Sequence, residues 1–347
     1  MSLMSTPKIN RDVFPYFTLS HYSSENRIPA EEYIKIKKID QSYYLIKEED
    51  IIDEYIKVDN IKKIETLEEL YDIINSGADI HITYTENSTI TEQFKINQGQ
   101  TITIDLTEDT SIDSTGSIGD TKRVFQVDNG KLVINGNGAT IKASDDCYGV
   151  FRVETDGELE LNNVNLINTK SFGLNIKVLG GTAVLNDVVI NSTTGGGIEV
   201  TEADLGTSSQ PGTAILNNCN FTQTGYYDHC STCLSVSGGA KLIINSGSYI
   251  SDNYCLYVFS SGGEIEVNDG TFVGNKNGIC MIAAIDTSSY PNYEGGFKIN
   301  GGDFTGNAQI TVPAYLQING GSFTFDPTQY ITSGHTVSEQ NNKFIVA

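Results

Sequence analysis

The sequence predicts an all-β solenoid: a coil of short parallel strands, one short capping α-helix near its start, and a small separate region in front. Three observations carry this reading. A unit of alternating apolar residues ending in Asn recurs from about residue 101 to 319, the apolar positions between about 78 and 318 show no helical period, and charge divides unevenly along the chain. Residues 1–65 carry 10 basic and 12 acidic groups, whereas the remainder carries 12 and 32. Two physically different regions therefore share one chain.

The 347 residues are 38% hydrophobic and include 34 Gly, 6 Cys and no Trp, with a net charge of −22. That composition supports a packed core and excludes global disorder. Nucleic acid and anionic membrane surfaces are disfavoured as partners, because phosphate neutralisation needs clustered Lys and Arg. No apolar run approaches a bilayer span, and the first residues lack the basic, apolar and small-residue order of a secretory signal. The cysteines are accordingly expected to be reduced thiols.

Residues 1–65 begin with a polar stretch containing Pro7, Pro15 and Pro29. They then alternate through Tyr33-Ile34-Lys35-Ile36-Lys37 and Ser42-Tyr43-Tyr44-Leu45-Ile46, the pattern of short strands. So small a region buries little core and is expected to dock on another surface. Thr66-Leu67-Glu68-Glu69 then forms a capping box ahead of Leu70, Tyr71, Ile73 and Ile74, with Gly77 beyond, which spells one amphipathic helix acting as a lid. The predicted division is residues 1–65 for docking, 66–325 for helix and coil, and 326–347 for a closing segment.

The repeated unit is clearest at Gly130-Lys131-Leu132-Val133-Ile134-Asn135 and Gly157-Glu158-Leu159-Glu160-Leu161-Asn162. It returns with Asn186, Asn217, Asn245, Asn268, Asn300 and Asn319, and Asp105 stands in the Asn place of a first member. Steps from 105 to 319 are 30, 27, 24, 31, 28, 23, 32 and 19 residues. Asn and Gly tolerate left-handed backbone, so each Asn reads as a corner. With three short strands per step, stacked about 4.8 Å apart, eight steps make a rod of about 40 Å whose inward side chains form columns.

These residues resemble the right-handed parallel β-helices of the pectin-lyase-like superfamily, in which a stacked Asn ladder marks one bend. The resemblance spans about residues 78–325 and implies the architecture; the same coil carries lyases, hydrolases, adhesins and viral spikes. The ending, Gly321-Ser322-Phe323, Asp326-Pro327-Thr328-Gln329-Tyr330 and Gly334-His335-Thr336-Val337, is similar to the closing segment of β-helix proteins common in gut bacteria and their phages. It is expected to cover the last open sheet edge.

His229-Cys230-Ser231-Thr232-Cys233 contains a CxxC, but a zinc site wants a second close pair. Aligning coils on the Asn corners instead puts Cys233 and Cys255 in a column with Gly149, Gly173 and Gly197, with Cys280 nearby, as buried small residues. Neither metal nor cofactor is expected. Related hydrolases use Asn-Thr-Asp, Gly-Asp-Asp, Gly-His-Gly and Arg-Ile-Lys motifs, of which only Ser144-Asp145-Asp146 is faintly similar here. Asp145 and Asp146 are thus weak catalytic candidates. A lyase wants Arg or Lys as base beside calcium-binding acids, and the only arginines of the coil are Arg123 and Arg152, the latter expected to point outward. Insertions at Thr201 to Gly212, Gln223 to Thr232 and Ala284 to Gly296 present Tyr226, Tyr227, Asp228, Tyr290 and Tyr293 as ligand-binding candidates, aromatics with polar tips. The first and third leave the coil at equivalent points, after Val200 and Ala283.

A docking region ahead of an acidic rod most resembles a bacteriophage virion appendage, such as a head fibre, tail spike or decoration protein. That resemblance implies a non-enzymatic attachment role, assembly in the host cytoplasm, and a virion capsid or tail partner for residues 1–65. It further implies a host surface glycan or protein as ligand, and a homo-oligomer, with a trimer favoured. A capsule-degrading lyase or hydrolase and a bacterial surface adhesin are the alternatives.

Overall fold

The computed structural model describes the strand segments 33–39, 42–47 and 61–64, and residues 67–347 apart from 98, 116–121, 171–172, 194, 205, 207 and 226–231. The proline-containing stretch of residues 1–32 and the expected docking role of residues 1–65 lie outside what these segments describe. Tyr33–Ile39 and Ser42–Lys47 do form strands, paired antiparallel.

The remainder is a parallel β-helix of about eight turns. Each turn visits three faces in order. Face one has eleven strands, from Ile61–Ile64 and Ile80–Tyr84 to Leu316–Ile318. Face two begins at Ser88–Ile90 and face three at Phe94–Ile96. Between successive turns the pairing on every face is parallel and in register, apart from a shift at Ile279–Met281 on face three. On face one, for example, Leu132 lies over Ile102 and under Leu159, and Ile134 lies over Ile104 and under Leu161. Those inward positions are at most 2% exposed, while the positions between them face outward. Strict alternation along each strand is thereby converted into vertical columns of apolar side chains.

The recurring asparagines form one unbroken column of hydrogen bonds. The Nδ2 of Asn135 donates to Asp105 Oδ1 at 2.7 Å, Asn162 donates to Asn135, and so on through Asn186, Asn217, Asn245, Asn268 and Asn300 to Asn319, every rung 2.7–2.9 Å long. Both ends are closed by side chains outside the repeat. His81 Nε2 lies 2.7 Å from Asp105 Oδ2, and the Thr332 hydroxyl donates to Asn319 Oδ1 at 2.5 Å with His335 Nδ1 3.0 Å behind it.

The corner itself departs from expectation. None of the ladder asparagines has a positive φ; the left-handed residue follows them, as Asn163 (φ 51°), Asp187 (φ 55°) and Asn218 (φ 53°), or as Gly247 and Gly270 (φ 130° and 131°) in later turns. The ladder residue must keep its amide in the plane of the stack, so the bend falls on its neighbour. At Gly247 a Cβ would lie 2.0 Å from the Cys219 carbonyl, so close stacking as well as φ demands glycine.

Core volume is balanced between two faces. In the early turns face three carries stacked rings, Phe94, Phe125 and Phe151, with centroids 5.1 and 5.2 Å apart, while face two supplies Ile112, Ile141 and Leu166. Later the roles exchange. Face two carries Phe221, Tyr249, Phe272, Phe304 and Phe323, whereas face three supplies Leu234, Leu256 and Met281. One aromatic column fills the cross-section at a given level, and two would overpack it.

Helix Leu67–Asn75 closes the N-terminal end. Leu70 and Ile74 are buried in the core, Tyr71 stacks on Phe94 at 4.3 Å, and the Gln100 amide donates to the Ile74 carbonyl at 2.9 Å. At the other end the chain turns back: Lys343–Val346 pairs antiparallel with Gly321–Phe323 and with Val337–Gln340, covering the last strand of face two. Lys343 Nζ reaches both Asp303 oxygens, at 2.5 and 2.6 Å.

Asn217→Ala strips partners from the Asn186 carbonyl and the Asn245 amide together. Urea unfolding is expected to show a loss of about 1–3 kcal/mol, against less than about 0.5 kcal/mol for Asn220→Ala on the exposed side of face two. Charge gives a second test. Glu266 lies 3.0 Å from both Lys241 and Lys298, whose hydrogen bonds hold its carboxyl below the usual range. A depressed carboxylate stabilises the fold above its unfolded pKa of about 4.3, and that contribution is lost as pH falls through the lower folded value. Glu266→Gln should therefore cost about 0.5 kcal/mol at neutral pH. The difference from the parent should shrink as pH falls below about 4 in the same unfolding assay.

Candidate functional site

The outer side of face three, in the turns that carry insertions, holds a transverse stripe of aromatic side chains. Leu256 and Val258 point inward, so Tyr257 and Phe259 point outward, and Tyr254 sits at the corner where the chain enters this face. All three are half-buried. Ring centroids are 6.0 Å apart for Tyr254 and Tyr257 and 4.5 Å for Tyr257 and Phe259, with Lys276 Nζ 5.5 Å from the Tyr254 ring. The strand beneath, Leu256–Val258, is three residues long, so the rings of Tyr254 and Phe259 extend past its two ends.

Insertions frame it. Val200, Val236, Val258 and Ala283 share one register position, so the first and third insertions do leave the coil at equivalent points, three turns apart. The first folds as a ribbon, Gly196–Asp204 against Ser209–Pro211, tied down by the Gln210 amide on the Gly180 carbonyl at 2.9 Å. In the third, Asp286 accepts hydrogen bonds from the hydroxyls of Ser288 and Ser289 and from the Ser288 amide, which lower its carboxyl to about 2.

The sequence-predicted residues fare differently. Tyr226, Tyr227 and Asp228 lie outside the described residues. Tyr290 is 40% exposed at the tip of the third insertion. Tyr293 is instead an anchor: its hydroxyl accepts from the Gly263 amide, its ring covers Gly262 and Gly295, and it packs edge-on to Tyr315 at 6.0 Å. Burial pushes its phenol upward. Asp145 and Asp146 are exposed at the corner between faces two and three, and Asp145 accepts a hydrogen bond from the Thr169 hydroxyl. They lack the enclosing walls that make a carboxyl a general acid. Arg152 points outward and pairs with Glu154.

Among the described residues, no three His, Cys, Asp or Glu side chains gather as a metal site. Cys233, Cys255 and Cys280 stack one above another, each just before an inward residue of face three, and all are buried. Gly197 shares their column, but Val150 and Asn175 occupy the levels assigned to Gly149 and Gly173, because the strand register places those glycines one and two residues earlier. A polar trough of about 600 Å³ runs along the corner between faces one and two, over Gly247, Gly270 and Gly302. Its floor is the glycine column that close stacking imposes. No helix among the described residues is long and apolar enough to cross a membrane.

Fold and surface together define a parallel β-helix with an outward aromatic stripe framed by insertions. No family model, curated protein or solved structure matches the chain. Sequence reasoning passed over the stripe, although the inward-outward alternation of Cys255-Leu256-Tyr257-Val258-Phe259 places both rings outside once Leu256 is assigned to the core.

Burial pushes the Cys219 thiol up to about 11 and raises the Cys255 thiol as well. Cys147, Cys219, Cys233, Cys255 and Cys280 are all buried, so they should resist iodoacetamide in the native protein and label fully in denaturant, as read by peptide mass mapping.

Proposed function

We propose that the protein is a non-enzymatic attachment protein of a phage particle, a head fibre, tail spike or decoration protein. In this reading residues 1–65 dock to the capsid or tail, the β-helix projects, and a homo-oligomer, by resemblance a trimer, displays the rod on the virion. The carrying observation is the stripe of Tyr254, Tyr257 and Phe259. Flat, partly apolar rings on a rigid sheet suit the apolar face of a sugar or a protein side chain at little entropic cost. The lyase or hydrolase alternative rests on Asp145 and Asp146, which are exposed. A bacterial surface adhesin would use the same stripe and differ in what residues 1–65 engage.

On a glycan array, Tyr257→Ala and Phe259→Ala are each expected to weaken binding about tenfold or more. Deleting residues 1–60, which spares the face-one strand Ile61–Ile64, should leave the rod folded by circular dichroism and abolish incorporation into particles. Release of reducing ends or unsaturated products from the same glycans, lost in Asp146→Ala, would replace attachment with depolymerisation.

A further inference from the structure

On this acidic chain, one corner reverses sign. Tyr148, 42% exposed, stands where the chain passes from face two to face three. Around its ring lie Lys122 Nζ at 5.2 Å from the centroid, the Arg123 guanidinium carbon at 5.7 Å and Lys170 Nζ at 6.0 Å. These cations come from the turns on either side. The Tyr148 amide donates to the Lys122 carbonyl at 2.7 Å and the Leu174 amide to the Tyr148 carbonyl at 2.7 Å, so the stacking that builds face three also assembles the group.

Two features set the cluster apart from ordinary surface lysines. Outward neighbours on the same face are paired, Arg152 with Glu154 and Lys177 with Glu199 at 2.8 Å. Among the described residues, Lys122, Arg123 and Lys170 have no carboxylate within ion-pair distance. Arg123 is also only 6% exposed, and its Nε has no hydrogen-bond partner there. Burial, together with the charge of Arg152, lowers its guanidinium to about 10. Gly149 makes room for it: a Cβ would meet the Leu174 carbonyl at 1.7 Å and Arg123 Nε at 3.3 Å.

Three like charges around one ring repel, and the buried one has lost the water that would moderate the repulsion. An anion at the corner relieves both. The ring of Tyr148 adds a flat surface of the kind sugars stack on. We propose that the Tyr148 corner binds an anionic saccharide, its carboxylate or phosphate held by Lys122, Arg123 and Lys170 and its sugar ring laid against Tyr148. The site is independent of the aromatic stripe, four turns or about 19 Å along the rod.

The test is isothermal titration of the full chain with three probes: trigalacturonate, a ribitol phosphate trimer and neutral maltotriose. At least one anionic probe should bind about tenfold tighter than maltotriose at about 50 mM NaCl and weaken several-fold at about 300 mM. Its identity tells a carboxylate from a phosphodiester source. Lys122→Gln with Lys170→Gln, and separately Tyr148→Ala, should each lower that affinity about tenfold, with Tyr257→Ala unchanged. Both lysines lie at the surface, outside the ladder and core columns. The proposal is overturned if neither anionic probe exceeds maltotriose, or if the double lysine variant binds as the parent does. Either result would leave the reading of the Tyr257 stripe standing.

Discussion

An asparagine side chain donates and accepts through one planar group, so a column of them is satisfied only when each lies directly over the next. That requirement governs this molecule. Turns of 19 to 32 residues must all return to one vertical line, from Asp105 to Asn319. Variation in length is therefore expelled into loops on the other two corners, where the insertions after Val200, Gln223 and Ala283 leave the coil. The ladder also has a direction: every Nδ2 points toward the N-terminal end. Such a chain terminates well in a carboxylate, which accepts without needing to donate, and Asp105 fills that place.

Stacking in register forces like upon like, and a cross-section of nearly constant size then limits what like residues can be. The exchange of rings from face three to face two is the solution reached here. It lets both halves of the rod gain stacked aromatic contacts without a level at which two rings compete for one space. The passage between the halves is aliphatic on both faces, at Leu166 with Ile176 and Ile190 with Ile198.

Much of this was legible in the sequence. Gly, alternating apolar residues and Asn at drifting intervals announce a coil, since only the corner residue has a chemical reason to recur while strand residues vary within a class. The rest was hidden for definable reasons. Asn tolerates left-handed geometry, which by sequence makes the ladder asparagines look like the bend residues, but their side chains are committed to the stack, and Asn163, Asp187 and Asn218 take the bend. The cysteine column was aligned from the corners, and loops of unequal length between corner and strand shifted Gly149 and Gly173 out of it. At the surface, Tyr290 and Tyr293 look alike in sequence, yet one is exposed and the other holds down its own loop. The gathering of Lys122, Arg123 and Lys170 at Tyr148 depends on three separate turns, and no local pattern reports it.

The antiparallel hairpin at the C-terminal end also bears on how long such a rod can be. A parallel stack has no intrinsic length; each finished layer is a template for another, whether from the same chain or from a neighbour. Reversing the strand direction at Lys343–Val346 interrupts the parallel order of the stack and leaves a single short strand, Val337–Gln340, at the edge in place of a finished three-sided layer, and the clasp of Lys343 on Asp303 fastens the reversal in place. Growth is thereby confined to the interior, where a whole layer can be gained or lost between two asparagines without disturbing either terminus.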